Sequence, residues 1–274
     1  MEFKFGTWNV NGRRLSDAHV EALRRHELDL LALQEVSEGF HAALSKCGVF
    51  DWSISSLDLR PPHADEGKSR RIGVSIFGCG QFRLERETAE VLENLRFPER
   101  TLVVRVRSAA GKATICSFHI PPGVSWGVVK PQTEKAIAEW LSEQEGSTIF
   151  GIDANAPKTD HPNAAENEWW WEDEPLLLGQ KPLHQLRDAF REFVGERPDI
   201  LEEIRRVRPS GPLAISHYRG RGSKRTACRY DFIFVSQDVA VDKVEYIFDQ
   251  TLSDHALVVG QFAFRVMAHS TDRK

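Results

Sequence analysis

The sequence has few cysteines, and none of them form a motif. Cys47, Cys79, Cys116 and Cys228 are widely separated, and no Cys-x-x-Cys pair occurs. This spacing excludes the usual zinc-binding and thioredoxin-like patterns. It indicates buried thiols in a reducing compartment.

Long apolar segments are absent as well. No hydrophobic run approaches the roughly 20 residues needed to cross a bilayer. The first residues, MEFKFGTWNVNG, are charged and contain no apolar core of the kind found in secretory signal peptides. These absences favour a cytoplasmic protein without membrane association.

The sequence also lacks a strong basic charge and internal repeats. Its formal net charge is −4, which excludes a histone-like basic coat but permits a local basic cleft. With 274 residues, 41% of them hydrophobic and 28% charged, the chain can bury a substantial core. The composition is that of an ordinary globular protein.

Strand-like and helix-like segments alternate along the chain. SDAHVEALRRHE and PQTEKAIAEWLSEQEG predict helices, because apolar residues recur on one face and Ser16 and Gly146 suit the helix ends. Short apolar runs predict strands: EFKFGTWNV, LDLLALQEV, RRIGVSIFG, TLVVRVRS, KATICSFHI, STIFGIDAN, RYDFIFVSQ, AVDKVEYIF and HALVVGQFAF. We expect one domain over 1–264, a polar insertion at about 156–212 and a flexible tail over 265–274.

Polar side chains stand where the predicted strands meet loops. They are Asn9, Asn11, Glu35, His119, Asp153, Asn155, Asp231, Asp254 and His255. A single polar strand end is ordinary, but a set of acids, amides and imidazoles drawn from the whole chain predicts one active site at one rim of a sheet structure. Taken singly, these residues have simpler explanations, namely a capped loop at SDH, an Asx turn at GIDAN and a helix-start carboxylate at Glu35.

The motifs TWNVNG, LLALQEV, FHIP, GIDAN, RYDFIFVS and SDHALVV resemble, in this order, those of the endonuclease/exonuclease/phosphatase family. The resemblance extends over about residues 3–264. It implies an α/β fold with four layers, in which two β-sheets pack face to face with helices outside. It also implies hydrolysis of phosphate esters with a divalent metal ion.

The resemblance assigns roles to several of these residues. It implies that Glu35 is the principal Mg²⁺ carboxylate, with Asn9 nearby and Asp254 as a second metal or water ligand; Mn²⁺ is an expected substitute. It further implies that Asp231 holds the imidazole of His255, which acts as an acid or a base. Adjacent residues on a strand point to opposite faces, so Asp254 is not itself the partner of His255.

The spacing of other residues indicates further roles. Asp153 and Asn155 point to the same side of an extended segment, where the carboxylate would orient or deprotonate water and the amide would donate to phosphate. Antiparallel pairing of FPERTLVVRV with KATICSFHI brings Glu99 or Arg100 beside His119. We expect a Glu99–His119 carboxylate–imidazole pair. The alternative is a solvated Glu99 and a His119 that bonds a backbone carbonyl.

The substrate is suggested by the branch of the family. The His at position 119 and the ALV that follows SDH resemble the deoxyribonuclease-like branch more than the abasic-site endonuclease branch. The stretch YRGRGSKRTACR supplies basic side chains that either contact phosphates or form a solvated loop. The candidate substrate-binding residues are Asn11, Arg219, Arg221, Lys224 and Arg225.

The three consecutive tryptophans, Trp169, Trp170 and Trp171, have two interpretations. They form either a stacking platform or lid for a base, or the packing of the insertion onto itself, which the acidic neighbours favour. The leading hypothesis is a Mg²⁺-dependent nuclease or related phosphodiesterase that acts on nucleic acid and has no obligate protein partner. The alternatives are a phosphomonoesterase for a small ligand such as an inositol phosphate, and a binding module without turnover.

Overall fold

Two six-stranded sheets form the centre of the molecule in a computed structural model that describes residues 1–62, 71–220 and 222–265. The first sheet contains, in spatial order, β13 (Val239–Ile247), β14 (Leu257–Phe264), β1 (Glu2–Asn9), β2 (Leu30–Val36), β4 (Gly73–Gly78) and β3 (Trp52–Ser55). The second contains β5 (Arg83–Glu90), β6 (Thr101–Ser108), β7 (Gly111–His119), β8 (Ser147–Asp153), β12 (Asp231–Val235) and β9 (Arg187–Asp188). A separate hairpin joins β10 (His217–Arg219) to β11 (Thr226–Cys228).

Helices cover the outer faces of both sheets. The helices are α1 (Asp17–His26), α2 (Glu38–Lys46), α3 (Ser56–Leu59), α4 (Gly123–Trp126), α5 (Val129–Ser142), α6 (Pro175–Leu178), α7 (Ala189–Gly195) and α8 (Pro198–Val207). Leu23 of α1 and Phe40 of α2 pack on the first sheet, whereas Ile137 of α5 and Leu177 of α6 pack on the second. The four-layer α/β sandwich predicted from the resemblance is therefore confirmed.

The central strands are apolar along their whole length because both of their faces are buried. In β6, Leu102 and Val104 point into the core between the sheets, while Val103 points toward the helices that cover the second sheet. Phe5 and Ile115 meet them in the core from the facing sheet and the neighbouring strand. Continuous apolar runs are what strands buried on both faces require.

Several short or exposed elements escape prediction from the hydrophobic pattern, and β5, β3 and α2 show why. The strand β5 has the sequence RLERETAE and lies at the edge of its sheet, half exposed, so it lacks an apolar face. The strand β3 is only four residues long and also lies at an edge. The helix α2 is short, with only Phe40 and Leu44 buried.

The segment 156–212 contributes to the sandwich itself. Its strand β9 pairs with β12, and Phe190 and Phe193 of α7 join the core between the sheets. The expected single domain over 1–264 stays a prediction, as does the tail, of which 266–274 lie outside the described residues. None of the described helices is long and apolar enough to cross a bilayer.

A buried histidine fixes α6 against the second sheet. The His184 ring packs edge-on against both Phe150 and Phe234, which are stacked on each other. Its Nε2 donates to the Leu177 carbonyl at 2.9 Å, and its Nδ1 accepts from the Leu186 amide at 3.2 Å. Burial lowers the pKa of His184 from 6.5 to about 4, so the neutral ring is the native form.

We predict that acid destabilises the protein through His184. Because its folded pKa is lowered, the unfolded chain binds this proton first, and stability is lost as the pH falls from 6.5 toward 4. At pH 5 this cost is about 2 kcal/mol. His184→Gln should be less stable than wild type at pH 7.5. Urea unfolding at pH 7.5 and pH 5 should show that this difference in the free energy of unfolding is smaller at pH 5 by about 2 kcal/mol. A gap independent of pH would contradict the prediction.

Candidate active site

One row of paired residues crosses three central strands of the second sheet. His119 at the end of β7 pairs with Asp153 at the end of β8, and Asp153 pairs in turn with Asp231 at the start of β12. Paired residues on one row have side chains on the same face of a sheet. The register alone therefore brings an imidazole and two carboxylates together.

The first sheet adds an amide and a carboxylate to this row. Asn9 at the end of β1 donates through Nδ2 to Asp153 Oδ2 at 2.7 Å and to Glu35 Oε1 at 3.3 Å. The sheets approach closely beneath this bond, because a Cβ at Gly151 would lie 2.4 Å from Thr7 Oγ1. The glycine of GIDAN thus permits the contact between the sheets on which the site depends.

The predicted Asp231–His255 pair is present. His255 Nδ1 lies 2.8 Å from Asp231 Oδ2, so this nitrogen carries a proton that it donates to the carboxylate, while Nε2 lies 3.9 Å from Asp153 Oδ2. Burial alone would lower the pKa of His255, but attraction to Asp231 and Asp153 outweighs it and raises the pKa to about 10. Burial and repulsion from Asp231 and Glu35 raise the pKa of Asp153, although His255 opposes the rise.

Asp254 lies beside this pair. Its carboxylate and the rings of His217 and His255 place three ligand atoms within 4.8 Å of one another, and a second such group consists of Glu35, His119 and Asp153. The structure therefore places Asp254 with the imidazoles and not in the group that contains Glu35. Its assignment as a metal or water ligand stays a prediction.

His119 lies beside Glu35. Its Nε2 lies 3.3 Å from Glu35 Oε1. The expected Glu99–His119 pair stays a prediction. The ladder between β6 and β7 begins at Thr101, and Glu99 belongs to a 3-10 turn that precedes it. Burial, Arg100 and His255 lower the pKa of His119, so its neutral form is favoured.

Three of the candidate residues have left-handed backbone conformations. The φ angles are 51° at Asn11, 52° at Glu35 and 49° at Asn155. Side chains two residues earlier stabilise the turns at the two asparagines. The Asn11 backbone amide donates to Asn9 Oδ1, and the Asn155 backbone amide donates to Asp153 Oδ1. Glu35 occupies an irregular step in the pairing of β2 with β4, and a glutamate tolerates this conformation poorly.

A buried arginine that sequence reasoning missed supports Asp231. Arg229 has no exposed side-chain surface and donates twice to Asp188, at 2.6 and 2.7 Å. It also pairs with Asp160 at 3.2 Å and donates to the Tyr246 hydroxyl, which donates to the Asp231 carbonyl at 2.8 Å. In the sequence, Arg229 looks like one more cation of a basic loop, so no pattern distinguishes it.

His217 is a second residue that the pattern did not identify. Its ring lies 4.4 Å from that of His255, and its Nδ1 donates to the Asp254 carbonyl at 3.1 Å. On its other side the Tyr230 ring is stacked at 5.7 Å. The only available signal is the position of His217 on a short strand just before the RYDF motif.

A cleft of about 480 Å³ opens beside the two imidazoles. Of the predicted basic residues, Arg219 lines this cleft, Arg225 lies over the Tyr218 ring and Lys224 is exposed. Arg221 lies outside the described residues. The cleft is lined by Pro122, Gly123, Val124, Lys130, Asn155, Trp170, Trp171, His217, Arg219 and Tyr230.

The three tryptophans separate into two environments. Trp169 packs against the core under α5 and α6, whereas Trp170 and Trp171 line the cleft. Packing of the insertion onto itself therefore describes Trp169, and the stacking platform stays a prediction for Trp170 and Trp171.

The group of Glu35, His119 and Asp153 fits a divalent cation. Carboxylate oxygens predominate, which suits a hard ion such as Mg²⁺. His119 Nε2 is buried and has no hydrogen-bond partner among the described residues. Two negative groups held this close to one another gain from a cation between them.

Comparison with known proteins identifies the fold. No family model and no curated protein matches the sequence. TDP2 from D. rerio, complexed with single strand DNA product, is similar in structure, with a TM-score of 0.68 and 14% identity over 96% of this chain and 99% of that chain. An endonuclease/exonuclease/phosphatase from Beutenbergia cavernae has a TM-score of 0.63 and 16% identity, over 96% of this chain and 72% of that chain. The endonuclease domain of TRAS1, a telomere-specific retrotransposon, has a TM-score of 0.55 and 18% identity, over 97% of this chain and 99% of that chain.

The chain therefore has the fold of the endonuclease/exonuclease/phosphatase proteins. At 14–18% identity the similarity defines the architecture, and the candidate site is defined by its own geometry.

We predict that Asp231→Asn lowers the pKa of the His255 ring by at least about one pH unit, because Asp231 is the charge that most favours the imidazolium. NMR titration of the metal-free protein with labelled histidine measures this value. Asp254→Asn is the matched control and should have a smaller effect. Equal shifts in the two variants would contradict the assignment of Asp231 as the partner.

We also predict that Glu35→Asn is more stable than Glu35→Gln by about 0.5–1 kcal/mol. Both changes remove the charge and leave an amide, but asparagine accepts a left-handed backbone and glutamine does not. Urea denaturation of the two variants gives the difference directly. Equal stability would show that the backbone at position 35 is not strained.

Proposed function

We propose that the chain is a divalent-metal-dependent phosphodiesterase that hydrolyses nucleic acid. The observation that carries this proposal is the meeting of Asn9 and Glu35 from one sheet with Asp153 and the Asp231–His255 pair from the other. The similarity to TDP2 complexed with single strand DNA product and to an endonuclease domain supports nucleic acid as the substrate class.

The side chains divide the chemistry among themselves. A Mg²⁺ ion, or Mn²⁺ in its place, held by Glu35 would neutralise the phosphoryl oxygens and stabilise the departing oxygen. Asp153, held by Asn9, orients the attacking water and accepts its proton, and a raised pKa suits a group that must gain a proton near neutral pH. His255 donates from Nε2 to a phosphoryl oxygen, and Asp231 keeps that ring charged.

His119 and Asn155 complete the proposed binding of the phosphate. His119 lies next to Glu35 and in the same row as Asp153, where its neutral ring offers one donor. Asn155 is fixed by a bond from its Nδ2 to the Ile120 carbonyl at 3.0 Å. The histidine at position 119 also supports placement in the deoxyribonuclease-like branch. The role of Glu99 in turnover stays a prediction.

A second candidate function is hydrolysis of a small phosphorylated ligand. The cleft of about 480 Å³ has the size of sites that enclose small molecules. Such an enzyme would release inorganic phosphate from an inositol phosphate and leave oligonucleotides intact.

The test is cleavage of labelled single- and double-stranded oligonucleotides, with phosphate release from inositol phosphates measured in parallel. We predict oligonucleotide cleavage with Mg²⁺, none with EDTA, and a loss of several orders of magnitude in Glu35→Gln, which removes the metal carboxylate. Glu38→Gln, an exposed glutamate on the following helix, is the matched control and should keep full activity. Full activity in EDTA would refute the dependence on a divalent metal ion. Release of inorganic phosphate without cleavage of oligonucleotides would support the second candidate function.

A further inference from the structure

We propose that the cleft beside His255 binds one unpaired nucleobase of the strand that carries the scissile phosphate. The inference rests on the proposed function and specifies its substrate as single-stranded at the point of cleavage. The base would lie among Trp170, Trp171 and Tyr230, with Arg219 at the edge of the cleft.

The cleft is continuous with the active site. Asn155 lines the cleft, and its backbone amide donates to Asp153 Oδ1 at 3.0 Å. The ring of His217, which also lines the cleft, lies 4.4 Å from the His255 ring. A group bound in the cleft is therefore adjacent to a phosphate held by His255 and Asp153.

The walls of the cleft are apolar and open to solvent. Val124 is 99% exposed and Trp170 is 44% exposed, and both belong to the few large hydrophobic residues on the described surface. Apolar side chains that face one cleft in this way mark a binding site. Aromatic side chains stack on the faces of unpaired bases, whatever the base. The cleft has the volume of a small-ligand site, which accommodates one nucleoside.

The charges around the tryptophans favour a nucleotide. The sequence places several acids beside the tryptophans, which would repel phosphates, but lysines neutralise two of them. Lys158 pairs with Glu168 at 3.0 Å, and Lys130 pairs with Glu174 inside the protein. The Arg219 guanidinium lies 4.7 Å from the centre of the Trp170 ring and is left to attract a phosphate.

A buried ion pair holds the two tryptophans in place. Glu174 is fully buried, binds Lys130 of α5 and accepts the Trp170 amide at 2.8 Å. Its own amide donates to the Trp171 carbonyl at 3.3 Å. A platform fixed before binding loses little entropy when a base stacks on it. Lys130 and Glu174 are thus positioning residues for the cleft.

The test is equilibrium binding in EDTA, where turnover does not interfere. Fluorescence anisotropy compares labelled single-stranded oligonucleotides that differ at the nucleotide next to the end phosphate, which carries either a base or an abasic analogue. The phosphate is placed at the 5′ end in one set of oligonucleotides and at the 3′ end in another. Each set is made as DNA and as RNA, so that a preference for either sugar is also measured. Wild type should bind one base-bearing oligonucleotide about tenfold more tightly than its abasic counterpart, and more tightly than the duplex.

The variants locate this preference. Trp171→Ala and Trp170→Leu should abolish the difference between the two oligonucleotides, while Trp169→Phe, which changes the neighbouring core tryptophan, should keep it. Arg219→Gln should weaken binding of both oligonucleotides and reduce its dependence on salt. Equal binding of the two oligonucleotides by wild type, or retention of the preference in Trp171→Ala, would overturn the inference.

The cleavage assay separates this inference from the proposed function. Cleavage of oligonucleotides without any preference for the base-bearing form would refute the base site and leave the phosphodiesterase proposal standing. A base preference in EDTA without cleavage in Mg²⁺ would support the base site and refute the proposed activity.

Discussion

The register of β8 with its two neighbours is the constraint on which the candidate site depends. It aligns His119, Asp153 and Asp231 in a single row. Because side chains alternate along a strand, a slip of one residue would turn Asp153 away from both partners. The core prevents such a slip, since it would also move Ile149 and Ile152 from the apolar layers into which they now pack. Hydrophobic packing thus determines where the polar groups meet.

The site itself is unfavourable for folding. It gathers buried carboxylates and holds Glu35 in a left-handed conformation, and each of these costs free energy. The strands around it compensate because they bury apolar side chains on both faces, at about 25 cal/mol per Å². The Arg229 network acts locally, since it ties the Asp231 backbone to Tyr246 and Asp188.

The sequence predicted the site residues where polarity broke an apolar run, as at Asp153 and His255. It extended the strand of FPERTLVVRV too far, because a strand-pairing rule does not show that Glu99 lies in a 3-10 turn and that the ladder begins at Thr101. It overlooked Arg229, since the sequence of a loop does not distinguish a buried cation from a solvated one. Such contacts depend on which loops meet in space, and local patterns contain no information about that.

The position of β14 between β1 and β13 has a consequence during synthesis. A nascent chain that has emerged as far as residue 240 already contains Glu35, His119, Asp153 and Asp231, but not His255. The Asp231–His255 pair forms only when β14, which directly follows His255, pairs with β1. On the proposed function, a chain in which β14 has not yet paired with β1 lacks the imidazole that binds the phosphate and is inactive during that stage of its folding.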